Sequence, residues 1–270
     1  MEASVNTISN KKYLYLNSDS DIIKNSKNPI FNAITFELSS PITIIQSNIQ
    51  LLKRFCNHPD KLLSDETFSF NEESIENIIG FIEKINFLCT SDQSSIKLNP
   101  GWFSLRSLIN QVYAEIKLLN LDVSRIKLNY PDQNCRIFTD KYLCNRILVN
   151  LLSNALKFSC KEVVLFITSS DDELSIVVRD SGIGIPENQL KEIFNPFVRG
   201  CNAKMISGSG LGLSIVAKAI KSLGGTLVLN SECGKGTEFK VRIPFDILSE
   251  AKAMIFGKRR LHESQSEIDR

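Results

Sequence analysis

Asp180-Ser181-Gly182-Ile183-Gly184-Ile185-Pro186, and beyond it Gly208-Ser209-Gly210-Leu211-Gly212, are two glycine clusters flanking one intervening segment. Residues 174–178 read as a buried strand, so the first cluster leaves a strand end. From Leu211 to Ile220 the periodicity is helical, so the second cluster opens a helix. Glycines ahead of a helix let backbone N–H groups approach a phosphate closely, and the helix start adds partial positive charge. No GxxxxGK[ST] occurs, and the spacing to strand and helix differs from the dinucleotide fingerprint. The pattern predicts a nucleotide pocket covered by a lid.

The totals narrow the class. A chain of 270 residues with 43% hydrophobic content holds one domain of about 150 residues and a smaller one. A net charge of +2 without a basic stripe gives nucleic acid binding no support. No apolar run is long enough for an integral membrane segment, and residues 1–32 are polar rather than signal-like. The seven cysteines lack ligand spacing, and several fall on apolar helix faces, which reads as reduced, small hydrophobes in a cytosol-like compartment.

In chain order, residues 1–28 read as a weakly structured segment. Residues 29–90 read as an antiparallel helical hairpin. Its first arm carries Ile34, Leu38, Ile45 and Ile49 and bends at Pro41; its second spans 72–88, with Ile75, Ile78, Ile79, Ile82, Ile85 and Leu88 on one side. Such a hairpin is too thin to bury both faces. Pairing with a second copy into a four-helix bundle solves this, and folding back on its own domain is the alternative. Residues 100–245 then alternate helices (from Ser104 as N-cap, 140–158, from Leu211) with strands (126–128, 135–138, 163–168, 174–178, 226–230, 237–243). That order predicts an α+β fold, with helices on one side of a mixed sheet as a two-layer α/β sandwich. Residues 246–270 read as a solvated tail.

Asn150 and Asn154 share one helix face, and Lys157 lies close by on the next turn. As satisfied surface amides they carry no function. Facing glycine-supported phosphates, a carboxamide oxygen of Asn154 completes a magnesium shell and Lys157 meets phosphate as a point charge. The Asp180 carboxylate accepts from an exocyclic amine, selecting adenine, and Gly184 permits approach to the ring. Ile193-Phe194-Asn195-Pro196-Phe197 is an apolar anchor followed by Arg199, Gly200 and Lys204, which suits a lid over triphosphate; an ordinary surface loop is the plainer reading.

With those residues in place, most of 29–243 resembles a sensor histidine kinase. Asn150-Leu151-Leu152-Ser153-Asn154-Ala155-Leu156-Lys157-Phe158 resembles the asparagine box and Asp180–Pro186 the first glycine box. Ile193–Phe197 resembles the phenylalanine box, Gly208–Leu213 the second glycine box and Gly234-Lys235-Gly236-Thr237-Glu238-Phe239 the final glycine turn. The resemblance implies a Bergerat-type ATP site with Mg2+ held through Asn154 and adenine read by Asp180. It also implies nucleotide contacts from Asn150, Lys157, Gly182, Gly184, Arg199, Lys204, Gly208, Gly210, Leu211, Gly212 and Thr237. In related ATPases a water-activating glutamate stands where Asn150 stands. An amide cannot act as that base, which fits phosphoryl transfer rather than rapid hydrolysis.

The family's phosphorylated histidine precedes Glu and a nearby Pro on the first bundle helix. Here the segment is Thr35-Phe36-Glu37-Leu38-Ser39-Ser40-Pro41, with Phe36 in the histidine's place. Phenylalanine offers no nucleophilic nitrogen, and Glu37 has nothing to activate. The chain's two histidines, His58 and His262, lie elsewhere. Phe36 sits about 200° round the helix from Leu38 and so faces outward. The expectation is an ATP- and Mg2+-binding, histidine-kinase-like signalling protein without self-phosphorylation at Phe36. It acts through dimerisation, as a homodimer or a heterodimer with a related kinase, and through protein contacts, a response regulator among them. One alternative is a kinase that phosphorylates a partner's histidine in trans; the other is a scaffold with a vestigial pocket.

Overall fold

The computed structural model describes residues 3–8, 11–16, 38, 42–47, 49, 65–89, 97–130, 135–170, 172–203, 206 and 208–245. Phe36, Glu37, Ser39, Ser40, Pro41, His58, Lys204, His262 and the tail 246–270 lie outside the described residues.

The strands are β1 (Ala3–Ile8), β2 (Lys11–Leu16), β3 (Gly101–Ser104), β4 (Ile126–Asn129), β5 (Arg136–Thr139), β6 (Val163–Ser169), β7 (Glu173–Asp180), β8 (Thr226–Glu232) and β9 (Gly236–Pro244). The helices are α1 (Asp65–Cys89), α2 (Leu105–Leu118), α3 (Lys141–Phe158) and α4 (Gly212–Ser222). A seven-stranded sheet runs in the order β1-β2-β8-β9-β7-β6-β4, antiparallel throughout except for the parallel β4–β6 pair. Alternate residues of its strands, among them Leu165, Ile176, Leu229 and Val241, are buried beneath helices. α3 lies over β6 and β7, α4 over β8, and α2 packs on α3. This is the expected α+β, two-layer arrangement, with helices preceding and covering a mixed sheet.

Three features depart from the sequence reading. Residues 1–28 read as weakly structured, yet β1 and β2 form a hairpin whose second strand pairs antiparallel with β8, Leu14 opposite Leu229. β8 would otherwise be an edge with unpaired backbone groups, and an incoming strand satisfies them. β3 also escaped notice, being four residues long and paired only with β5. Ser104 does occupy the N-cap of α2, but its side chain makes no capping bond; the Leu105 N–H goes instead to the Cys135 carbonyl at 2.9 Å.

The helix that carries the asparagines is fastened at both ends. Asp140 caps α3, its Oδ1 accepting from the Leu143 N–H at 3.0 Å while its Oδ2 accepts from the Asn99 N–H at 2.9 Å. At the other end Arg125 donates to the carbonyls of Leu156, Ser159 and Lys161, satisfying C-terminal acceptors with a cation. Cys144, in its first turn, is fully buried, and desolvation pushes its thiol up to about 12, so it is an inert hydrophobe. Cys89, Cys160, Cys201 and Cys233 are exposed instead, and all six described cysteines are unpaired.

α1 begins at Asp65, earlier than its apolar spacing predicts. The predicted seam divides: Ile78 and Ile85 are half-buried, whereas Ile75, Ile79 and Ile82 are exposed. The residue that anchors α1 is Phe81, packed with Leu211 and Ile215 of the α4 entry. Helix–domain contact is completed by Lys218 of α4, whose ammonium donates to the Leu88 carbonyl at 3.0 Å and lies 5.6 Å from the Phe87 ring centre. α1 has no basic residue in its own last turn, so Lys218 supplies the cation from outside. Phe81→Ala removes that anchor and is expected to cost about 3 kcal/mol of α1 docking. Hydrogen exchange over residues 74–89 checks it: faster exchange there, with α3 unchanged, is the expected result.

Candidate nucleotide site

A cavity of about 400 Å³ opens between α3, the glycine loops, the lid segment and α1. Of the residues expected there, Asn150, Asn154, Lys157, Asp180, Gly184, Arg199, Gly208, Gly210, Gly212 and Thr237 line it. Gly182 and Leu211 do not. Gly182 instead directs its N–H to Asp180 Oδ1 at 2.8 Å, and Leu211 is fully buried against Phe81 and Ile215. Both shape the site from behind.

Asp180 ends β7 with 8% of its surface exposed. Desolvation raises its carboxyl above the usual 3.8, opposed by backbone N–H donation from Gly182 and Thr237. Thr237 stands opposite Asp180 in the β7–β9 register. Its hydroxyl lies 2.9 Å from Ser231 Oγ, which donates to the Gly236 carbonyl and accepts from the Ile185 N–H at 2.9 Å. One serine thereby joins β8, β9 and the first glycine loop. Gly184 has φ +63°, and a Cβ there would lie 2.0 Å from the Glu232 carbonyl oxygen, so no other residue fits.

Across the cavity, Asn150 and Asn154 sit half-buried on α3, and Asn150 Nδ2 donates to the Arg146 carbonyl at 2.7 Å. Gly212 at the start of α4 faces them; a Cβ there would be 3.1 Å from Asn150 Oδ1 and 3.6 Å from Asn154 Nδ2. The first turn of α4 can therefore approach the amides closely. Lys157 is exposed at the surface, yet the bulk of protein around its ammonium depresses its pKa by desolvation. Mg2+ fits this donor set. Asn154 offers a hard amide oxygen, and no group of three or more His, Cys, Asp or Glu suited to a metal lies among the described residues. Asn154 would hold the ion, and phosphate and water would complete its shell.

The lid carries 3-10 turns at Glu187–Gln189, Glu192–Phe194 and Cys201–Ala203. Ile193 and Phe194 are buried in the main core, so the apolar anchor holds. Arg199, expected to meet phosphate, lines the cavity but donates to the carbonyls of Ala203 (2.8 Å) and Ile206. In this conformation it braces the lid. Asn202 was not expected: its Nδ2 donates to the Gly184 carbonyl at 2.9 Å, pinning the lid to the first glycine loop. Arg146 was also missed, although its place one turn before Asn150 on the same face was a usable signal.

Residues 139–247 match the family described as histidine kinase-, DNA gyrase B-, and HSP90-like ATPase. Sensor histidine kinase RcsC of Escherichia coli (strain K12) is 32% identical over 231 residues, 81% of this chain and 23% of RcsC. Autoinducer 2 sensor kinase/phosphatase LuxQ of Vibrio vulnificus (strain YJ016) is 29% identical over 228 residues, 79% of this chain and 26% of LuxQ. The chain thus spans about a quarter of the length of these curated relatives. Histidine kinase AdeS of Acinetobacter baumannii shares the fold, with a TM-score of 0.56 at 22% identity over 78% of this chain and 98% of that one.

Proposed function

From an ATPase-type domain over residues 139–247 that is related to sensor histidine kinases, we propose that this chain binds ATP with Mg2+ and does not phosphorylate itself at Phe36. It acts as a histidine-kinase-like signalling protein through dimerisation and nucleotide-dependent contacts. The observation that carries this reading is the buried Asp180 carboxylate at one end of the cavity, with the amide row of α3 and the glycine start of α4 beyond it. Asp180 selects the adenine amine, Asn154 holds the ion, and Asn150 supplies no base for water.

Ile75, Ile79 and Ile82 leave an apolar stripe on α1 that a second stem helix would cover, which supports a dimer. The second reading is a heterodimer in which this site phosphorylates a histidine on a related kinase, whose stem helix the same stripe would equally accept. A response regulator remains the partner class for the segment around Phe36. Among the described residues no helix is long and apolar enough to cross a membrane.

Incubation with labelled ATP tests the division of roles. The chain as it stands is expected to bind ATP and gain no label, and Phe36→His to gain acid-labile, base-stable phosphate. Label of that kind on the unaltered chain would overturn the proposal. Label appearing on a histidine-bearing partner, and lost in Asn154→Ala, would select the heterodimer.

A further inference from the structure

Arg146 lies on the cavity side of α3 in one row with Asn150 and Asn154, at four-residue spacing. The row has a direction. Phe158, at the C-terminal end of α3, accepts from the Ile183 N–H at 3.1 Å and so marks the Asp180 end of the cavity. Arg146 is at the opposite end, about 6 Å beyond Asn150 along the helix axis. A nucleotide with its base at Asp180 and its metal at Asn154 would point its last phosphate at this guanidinium.

That guanidinium is prepared and occupied. Its Nε and Nη2 donate to the Tyr142 hydroxyl at 2.9 and 2.7 Å, and its carbon stacks 4.9 Å from the Tyr142 ring centre. Its Nη2 also lies 3.5 Å from Glu83 Oε2 on α1. Glu83 and its neighbour Gly80 line the same cavity, so a carboxylate of the stem helix stands where an anion would be bound. Arg146 is largely buried, with 18% of its side chain exposed, while Glu83 is 58% exposed. The arginine is therefore fixed and the glutamate is the movable partner. A second carboxylate, Glu115, lines this end too, held by Asn145 at 2.8 Å and Gln111 at 3.2 Å. A phosphate arriving beside Glu83 and Glu115 meets repulsion unless Glu83 withdraws.

Resting on the nucleotide reading above, we infer that Arg146 binds the terminal phosphate of a nucleoside triphosphate, and that Glu83 occupies Arg146 until that phosphate displaces it. The stem helix then responds to the third phosphate rather than to the nucleotide as such. A diphosphate leaves the Glu83–Arg146 pair intact; a triphosphate takes the planar donor fork and frees α1 from the cavity mouth.

Calorimetric titration of the full chain with AMPPNP or ADP, each with Mg2+, tests this. Arg146→Gln is expected to lose about tenfold in AMPPNP affinity and less than about twofold in ADP affinity. Glu83→Gln, at an exposed position, is expected to bind AMPPNP about threefold more tightly with ADP unchanged. Amides 80–89 should exchange faster with AMPPNP than with ADP, and that difference should vanish in Arg146→Gln. Equal losses for both nucleotides in Arg146→Gln, or stem exchange indifferent to AMPPNP, would overturn the inference while the nucleotide site stands. Failure of the unaltered chain to bind either nucleotide would overturn the nucleotide reading itself.

Discussion

Asp180→Asn is expected to lose about 100-fold in ATP affinity while the empty protein becomes no less stable. The two effects have one origin. The carboxylate is buried, and desolvation, the largest influence on it, raises its pKa above 3.8 despite the N–H groups of Gly182 and Thr237. A group whose folded pKa is raised destabilises the fold once it is ionised. That penalty is absent below the unfolded value and complete above the folded one, so this group's contribution to stability falls as pH rises between them. Asparagine keeps an acceptor for the Gly182 N–H and removes the charge. It also presents a weaker acceptor to the adenine amine, a loss of about 2–3 kcal/mol for a charged hydrogen bond. ATP affinity of the unaltered chain should accordingly decline as pH drops through the raised pKa, at a higher pH than an ordinary aspartate would give. Calorimetry and denaturant unfolding on the same two proteins check both signs. A variant that binds normally and unfolds more easily would mean that Asp180 serves the sheet and not the ligand.

The second large effect belongs to Gly184→Ala, expected to destabilise the domain by about 3–5 kcal/mol. Its φ of +63° disfavours any side chain, and the added carbon would lie 2.0 Å from a backbone oxygen, Glu232 O, which cannot swing aside as a side chain could. The first glycine loop would have to part from the β8 end, breaking the Gly234 N–H bond to the Ile183 carbonyl, now 2.8 Å. A lowered denaturant midpoint measures the cost, and an unchanged midpoint would mean that the loop has another conformation of nearly equal energy.

What the sequence made legible follows from which signals are local. The amides at 150 and 154 are one helical turn apart, so their shared face follows from periodicity alone, and their place in the cavity agrees with it. Gly184 and Gly210 both have positive φ, a backbone need that composition announces. What escaped notice depends on contacts between distant segments. The β1–β2 hairpin is extended because β8 offers a sheet edge, and nothing within residues 3–16 speaks of β8. Phe81 lies between Ile78 and Ile85 on the half-buried side of the α1 seam, and what singles it out is Leu211 and Ile215, which meet it from α4. Arg199 reads as a phosphate ligand by type and position, and its bonds to the Ala203 and Ile206 carbonyls are a bracing role that residue type does not announce. Leu211 and Gly182 lie within the right motifs and turn away from the cavity, since a motif includes the residues that hold a wall as well as those that form it.

α4 has a mechanical consequence. Its first residue, Gly212, borders the amides, and six residues later, about 9 Å along the axis, Lys218 grips the end of α1. Both engagements belong to one stiff rod of 11 residues. A tilt of its first turn would therefore be felt at the Leu88 carbonyl through Lys218, a second route to α1 beside the Glu83–Arg146 pair.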